Sequence, residues 1–142
     1  MKKIFQISLF LLAIASTQAQ NRKVDLKENL PFKDVLAMAK QQDKLIFLDF
    51  GSLTCTPCMY IKKLVLTIDS VADFINERFV SVDYNVGAEK KRLSDLYGVD
   101  SEPVLLILDQ QGKLMHRMVG KMNSEEIMQR FRQGLDTENN LA

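Results

Sequence analysis

The stretch Leu45–Leu64, LIFLDFGSLTCTPCMYIKKL, joins an apolar run to a short loop carrying Cys55-Thr56-Pro57-Cys58 and then to a helical pattern. These are the only two cysteines in the chain, and their spacing lets a disulfide close within one turn. Lys44–Phe50 is apolar nearly throughout, as a central strand covered on both faces must be, and Asp49 alone breaks the run. Gly51 and Ser52 loosen the chain, and Pro57 suits a first helical turn. Ile61, Leu64 and Val65 then continue a helix on which Lys62 and Lys63 face outward.

The flanking segments supply what such a strand needs. Residues Gln20–Asn29 are polar and fit either a short edge strand or a loose lead-in. Phe32, Val35, Leu36 and Ala39 recur at spacings of three and four and predict a helix over Phe32–Gln42, with Pro31 at its start. Asp69-Ser70 caps a helical piece with Val71, Phe74 and Ile75 inward, and Phe79–Tyr84 alternates apolar with polar residues as a strand does. Ala88–Tyr97 is a short charged helix stopped by Gly98, with Lys90-Lys91-Arg92 as a solvated face. Val104–Leu108 is a buried strand, Asp109–Gly112 a hairpin turn, and Leu114–Val119 the returning strand, with His116 exposed on it. Asn123 and Glu126 form a capping pair before a last helix whose inward face is Ile127, Phe131 and Leu135, and the polar tail from Asp136 frays.

A parallel β-α-β start followed by an antiparallel hairpin predicts an α/β fold: a central mixed sheet with helices on both faces. The 142 residues, 46% hydrophobic and 26% charged, suit one domain with a real core over about residues 30–135, and contain no repeat or linker. The seven methionines are scattered, as gap-fillers in a core are.

Residues 1–19 read differently. Lys2 and Lys3, the apolar stretch Ile4–Ala15 and the small-residue ending Thr17-Gln18-Ala19 make a secretory signal peptide cleaved after Ala19, leaving a domain over 20–142. The alternative, a retained anchor, has an apolar stretch shorter than the roughly 20 residues of a span. Cleavage removes two lysines and leaves 17 basic against 18 acidic residues, a net charge of −1 that offers nucleic acid no basic surface. Export to the periplasm or the medium places the cysteines where thiols tend to be oxidised. The mature protein is expected to be uninserted in the membrane.

The thiolate is the reactive form of cysteine, and a position just before a helix stabilises it, lowering the pKa from about 8.5 to roughly 3.5–7.5. Cys55 has that position and would attack a partner disulfide; Cys58, one turn further in, would resolve the mixed disulfide. A structural zinc site needs about four ligands, whereas the chain offers this pair and one distant histidine, His116. Haem attachment needs histidine where Met59 stands. Cu(I) held by the two thiolates, with Met59 nearby, and an inert disulfide remain as alternatives, the latter with little entropic value in so short a loop.

With these residues in place, the sequence resembles the thioredoxin-fold proteins. Within them it is most similar to exported thioredoxin-like proteins and to the C-terminal domain of the periplasmic thiol:disulfide interchange protein. The shared parts are LIFLDF, CTPC at a helix start, YGVDSEPVLLILDQQGK, and Val119-Gly120 before the last helix. The resemblance implies a thiol-disulfide oxidoreductase whose redox group is the Cys55–Cys58 disulfide, with no further cofactor and no metal expected; a non-catalytic thioredoxin-fold binding module or copper carrier is the alternative. Its partners would be protein thiols and disulfides, with a membrane electron donor if it acts as a reductant. It also implies that Asp49 is the buried acid that transfers the proton of Cys58, and that Pro103 is the cis-proline beside the cysteines, where Glu102, Thr56 and Pro57 would also meet substrate. The chain departs from the family in having Thr54 where tryptophan is usual, Gly51 where an aromatic is common, Thr56 for glycine and Ser81 for the lysine that partners the acid. Glu102 adds a negative charge expected to raise the thiolate pKa and to deter acidic partners.

Overall fold

The computed structural model describes residues 22–136; the expected leader over residues 1–19 and nearly all of the tail lie outside them. Strands β1 (Leu26–Glu28), β2 (Leu45–Phe50), β3 (Phe79–Tyr84), β4 (Val104–Leu108) and β5 (Leu114–Val119) form one sheet in the order β1-β3-β2-β4-β5. β3 pairs parallel with β1 and β2, whereas β2–β4 and β4–β5 are antiparallel. The predicted mixed sheet is therefore present, and the segment left open between strand and lead-in supplies its edge.

Helices α1 (Phe32–Gln42) and α4 (Gly87–Tyr97) cover one face. There Phe32, Val35, Ala39 and Leu93 pack on Ile46, Leu48 and Phe50 of β2 and on Val80, Val82 and Tyr84 of β3. The other face carries α2 (Thr56–Tyr60), a π-helical continuation over Ile61–Val65, α3 (Asp69–Arg78) and α5 (Ser124–Leu135). Its core joins Phe47, Leu105 and Ile107 to Ile61, Val65, Ile75, Ile127 and Phe131. Because strand side chains alternate, Asp49 shares the face of Phe47, beneath the helix that carries the cysteines.

Side-chain bonds fasten the helix starts. Asn123 and Glu126 form the predicted capping box of α5. Pro31 gives α1 no side-chain cap, and Glu89 of α4 serves instead by accepting the Phe32 N–H at 2.7 Å.

The structure corrects four details. β3 is buried at all six positions, Ser81 and Asp83 included, so its polar residues point under helices and not to solvent. Lys62 does not face outward: its side chain is 17% exposed and its Nζ lies 2.5 Å from Asp83 Oδ2. Of the basic run in α4, Lys91 and Arg92 form surface pairs, but Lys90 turns toward the cysteine loop. His116 is half-buried against Gly134 of α5, where a glycine Cβ would approach the imidazole-bearing Cβ to 2.9 Å.

Candidate active site

Cys55 ends the loop after β2 and is the N-cap of α2; its Sγ accepts the Cys58 N–H at 3.2 Å. Pro57 lies in the first turn, where its missing N–H leaves no bond unmade. The two sulfurs are joined in a disulfide. Cys55 is half-buried and Cys58 fully buried, so the first cysteine is the more accessible of the two. On reduction, the amide already aimed at Cys55 and the partial positive charge of the helix start favour its thiolate. Thr56, beside it, is exposed.

Asp49 is buried to 1% exposure, and neither of its oxygens has a hydrogen-bond partner among the described residues. Burial, with the Asp83 and Glu102 carboxylates adding and Lys62 opposing, pushes its pKa up to about 7. A carboxyl balanced between its two forms near neutral pH is able both to accept and to release a proton. Asp83 faces Asp49 directly across the parallel β2–β3 register. Asp83 Oδ2 accepts from Lys62 Nζ at 2.5 Å and Asn85 Nδ2 at 2.9 Å, while Oδ1 has no partner among the described residues.

The loop before β4 comes to the same end of the sheet as the cysteines. The Glu102–Pro103 bond is cis, and Pro103 is buried. A Glu102 carboxylate oxygen and the two sulfurs all lie within 4.8 Å of one another. Lys90 Nζ donates to Glu102 Oε1 at 2.6 Å and to the Gly51 carbonyl at 2.7 Å. Burial pushes the Glu102 carboxyl up, but hydrogen bonds from Lys90 and Ser52 and the Lys90 and Lys62 charges outweigh it and hold it below the usual range. Glu102 is thus an ionised but compensated charge, so its effect on the neighbouring thiolate is smaller than its sequence position alone implies. It is also a hard oxygen donor committed to an ammonium, an unsuitable third ligand for soft Cu(I).

The structure brings Cys55, Cys58, Thr56, Pro57, Glu102 and Pro103 to one end of the sheet and sets Asp49 beneath the helix. Three further residues, Lys62, Asp83 and Lys90, escaped the sequence reading. Lys62 follows Cys58 by four positions and so shares its helical face, a signal masked by the general solvent preference of lysine.

A sequence profile of the thioredoxin-like domain matches residues 32–135. The solution structure of a candidate disulphide-isomerase from Bacteroides thetaiotaomicron superposes with TM-score 0.74 at 31% identity, over 84% of this chain and 98% of that one. The disulphide isomerase of Xylella fastidiosa Temecula1 gives 0.64 at 25% identity, over 80% and 98%. The oxidised C-terminal domain of DsbD from Neisseria meningitidis gives 0.63 at 20% identity, over 72% and 91%, a likeness of fold. No curated protein matches the chain.

Proposed function

The chain belongs to the thioredoxin-like domain family, and from that premise we propose that it is an exported thiol-disulfide oxidoreductase that reduces or exchanges disulfides in proteins of the periplasm or cell surface. Enzymatic thiol-disulfide exchange follows from the family together with the cysteine pair. Export rests on the lysines and apolar stretch at the start of the sequence. The observation that carries the reading is the asymmetry of the pair, a reachable Cys55 at a helix start bonded to an enclosed Cys58.

In the reduced protein, the Cys55 thiolate attacks one sulfur of a partner disulfide. A Cys55–partner bond forms, the partner S–S bond breaks, and one partner thiolate leaves. Asp49 takes the proton of the Cys58 thiol, and the Cys58 thiolate attacks Cys55 Sγ, releasing the second partner sulfur as a thiolate. Two electrons have passed to the partner and the Cys55–Cys58 disulfide remains. Pro103 and Glu102, with Thr56 and Pro57, frame the surface on which the partner peptide lies, paired in strand fashion beside the cis bond. The disulfide is the only redox group required, and a membrane dithiol carrier would return the electrons if the protein works as a reductant.

A redox titration with an insulin-reduction assay tests this. Exchange lost in Cys55→Ser supports it; a pair that stays oxidised and exchanges with nothing overturns it. The potential sets the direction, about −270 mV for a reductant and about −120 mV for an oxidant.

A further inference from the structure

Lys62 and Asp83 form an ion pair for which the exchange steps above have no use. Both side chains are largely enclosed, at 17% and 5% exposure. Asp83 is the register partner of Asp49, and Lys62 sits one turn beyond Cys58 on the helix above. The other charged group acting on Asp49 is Glu102, from the loop before β4. Glu28, exposed on β1, is the register partner of Asp83 on its other side. A cleft of about 290 Å³, bordered by Leu26, Glu28, Lys62, Leu66 and Asp83, brings solvent to the pair from the sheet edge.

Asp83 alone would be costly, since it and Asp49 are carboxylates on adjacent buried strands that repel and each loses hydration. A lone ammonium beneath the helix would be no better. Together they present Asp49 with opposite charges: Asp83 pushes it toward its protonated form, and Lys62 toward its ionised form. Among the described residues Asp49 has no hydrogen-bond partner that could hold either form, so the balance of neighbouring charge decides.

We propose that Lys62 and Asp83 are positioning residues that act as an opposed charge couple on Asp49, setting the pH range in which Asp49 accepts the proton of Cys58. This deepens the proposed function and rests on it. Removing the Asp83 charge frees the Lys62 ammonium to favour the Asp49 carboxylate. Removing the Lys62 charge leaves two uncompensated carboxylates and drives Asp49 to its neutral form. The opposite signs distinguish the couple from a structural pair, whose loss in either direction would only loosen the fold.

The test is an infrared titration of the buried carboxyl band in the intact, oxidised protein, with the band assigned by its loss in Asp49→Asn. The midpoint is expected to fall by about one pH unit in Asp83→Asn and to rise by about one in Lys62→Met, with the double variant near the native value. The pH profile of disulfide closure should move in the same directions. Lys62→Arg, which keeps the charge, should restore the native midpoint, and it serves as the second probe if Lys62→Met folds poorly. Shifts of the same sign, or none, overturn the proposal. The infrared midpoint does not depend on exchange: opposite shifts in a protein inert toward insulin would uphold the couple and sink the proposed function, whereas an active enzyme without shifts would do the reverse.

Discussion

Gly51 lies so close to Cys58 that a Cβ built on it would stand 3.0 Å from the cysteine Sγ and 3.1 Å from its Cβ. The loop before the helix can thus press its bare backbone against the buried sulfur, in a place where the family commonly carries an aromatic. Gly51→Ala should displace Cys58, destabilising the fold by about 1–3 kcal/mol and slowing the resolving step more than the first attack. Urea unfolding gives the first quantity. Accumulation of partner-linked protein in quenched, mass-analysed reactions gives the second.

The two cysteines should fail in different ways. Cys55→Ser should show no exchange with insulin at any time. Cys58→Ser should retain the first attack and accumulate stable mixed disulfides through Cys55, visible as reducible adducts on non-reducing gels.

Asp49 should make the protein less stable as pH rises. Its pKa goes from an ordinary 3.8 to about 7 in the fold. Between those values the native state holds a proton that the unfolded chain has lost, so stability is greatest below about pH 4 and declines up to about pH 7. Asp49→Asn removes this dependence. The variant should match the native protein near pH 4 and exceed it by up to about 4 kcal/mol at pH 8, with disulfide closure slowed. Denaturant midpoints across that range decide the matter, and a difference independent of pH would refute it.

Glu89 behaves in the opposite sense. Its hydrogen bond to Arg92, then its bond from the Phe32 N–H, lower its carboxyl to about 2. The stabilisation is therefore present above about pH 4.5 and disappears as pH falls through about 2. Glu89→Ala should cost on the order of 1 kcal/mol at pH 7, the ion-pair share being screened by solvent, and much less at pH 2. Thermal unfolding at the two pH values, with amide exchange at the first turn of α1, provides the check.

The strands and helices were legible because their apolar periods are strong: VLLIL of β4 and LIFLDF of β2 admit little but buried strands. The cysteine pair announced itself by spacing, and Pro103 by its motif. Pairings across the sheet were not legible. Asp83 occupies the same position in β3 as Asp49 in β2, but only the register makes them neighbours. The π turn over Ile61–Val65 likewise leaves no mark in composition, since it is a change of bonding in which Leu66 N–H reaches the Ile61 carbonyl at 2.9 Å. Lys90 and His116 were misplaced for one reason: the sequence speaks of residue type, and the three-dimensional neighbours of Glu102 and Gly134 overrode it.

Lys90 reaches from α4 to both the Gly51 carbonyl and Glu102. Its single ammonium therefore ties the segment leading into the cysteines to the segment carrying the cis-proline, two jaws that are remote in sequence. On the proposed function, a partner would meet these two segments already held together, and would forfeit less of its binding free energy to ordering them.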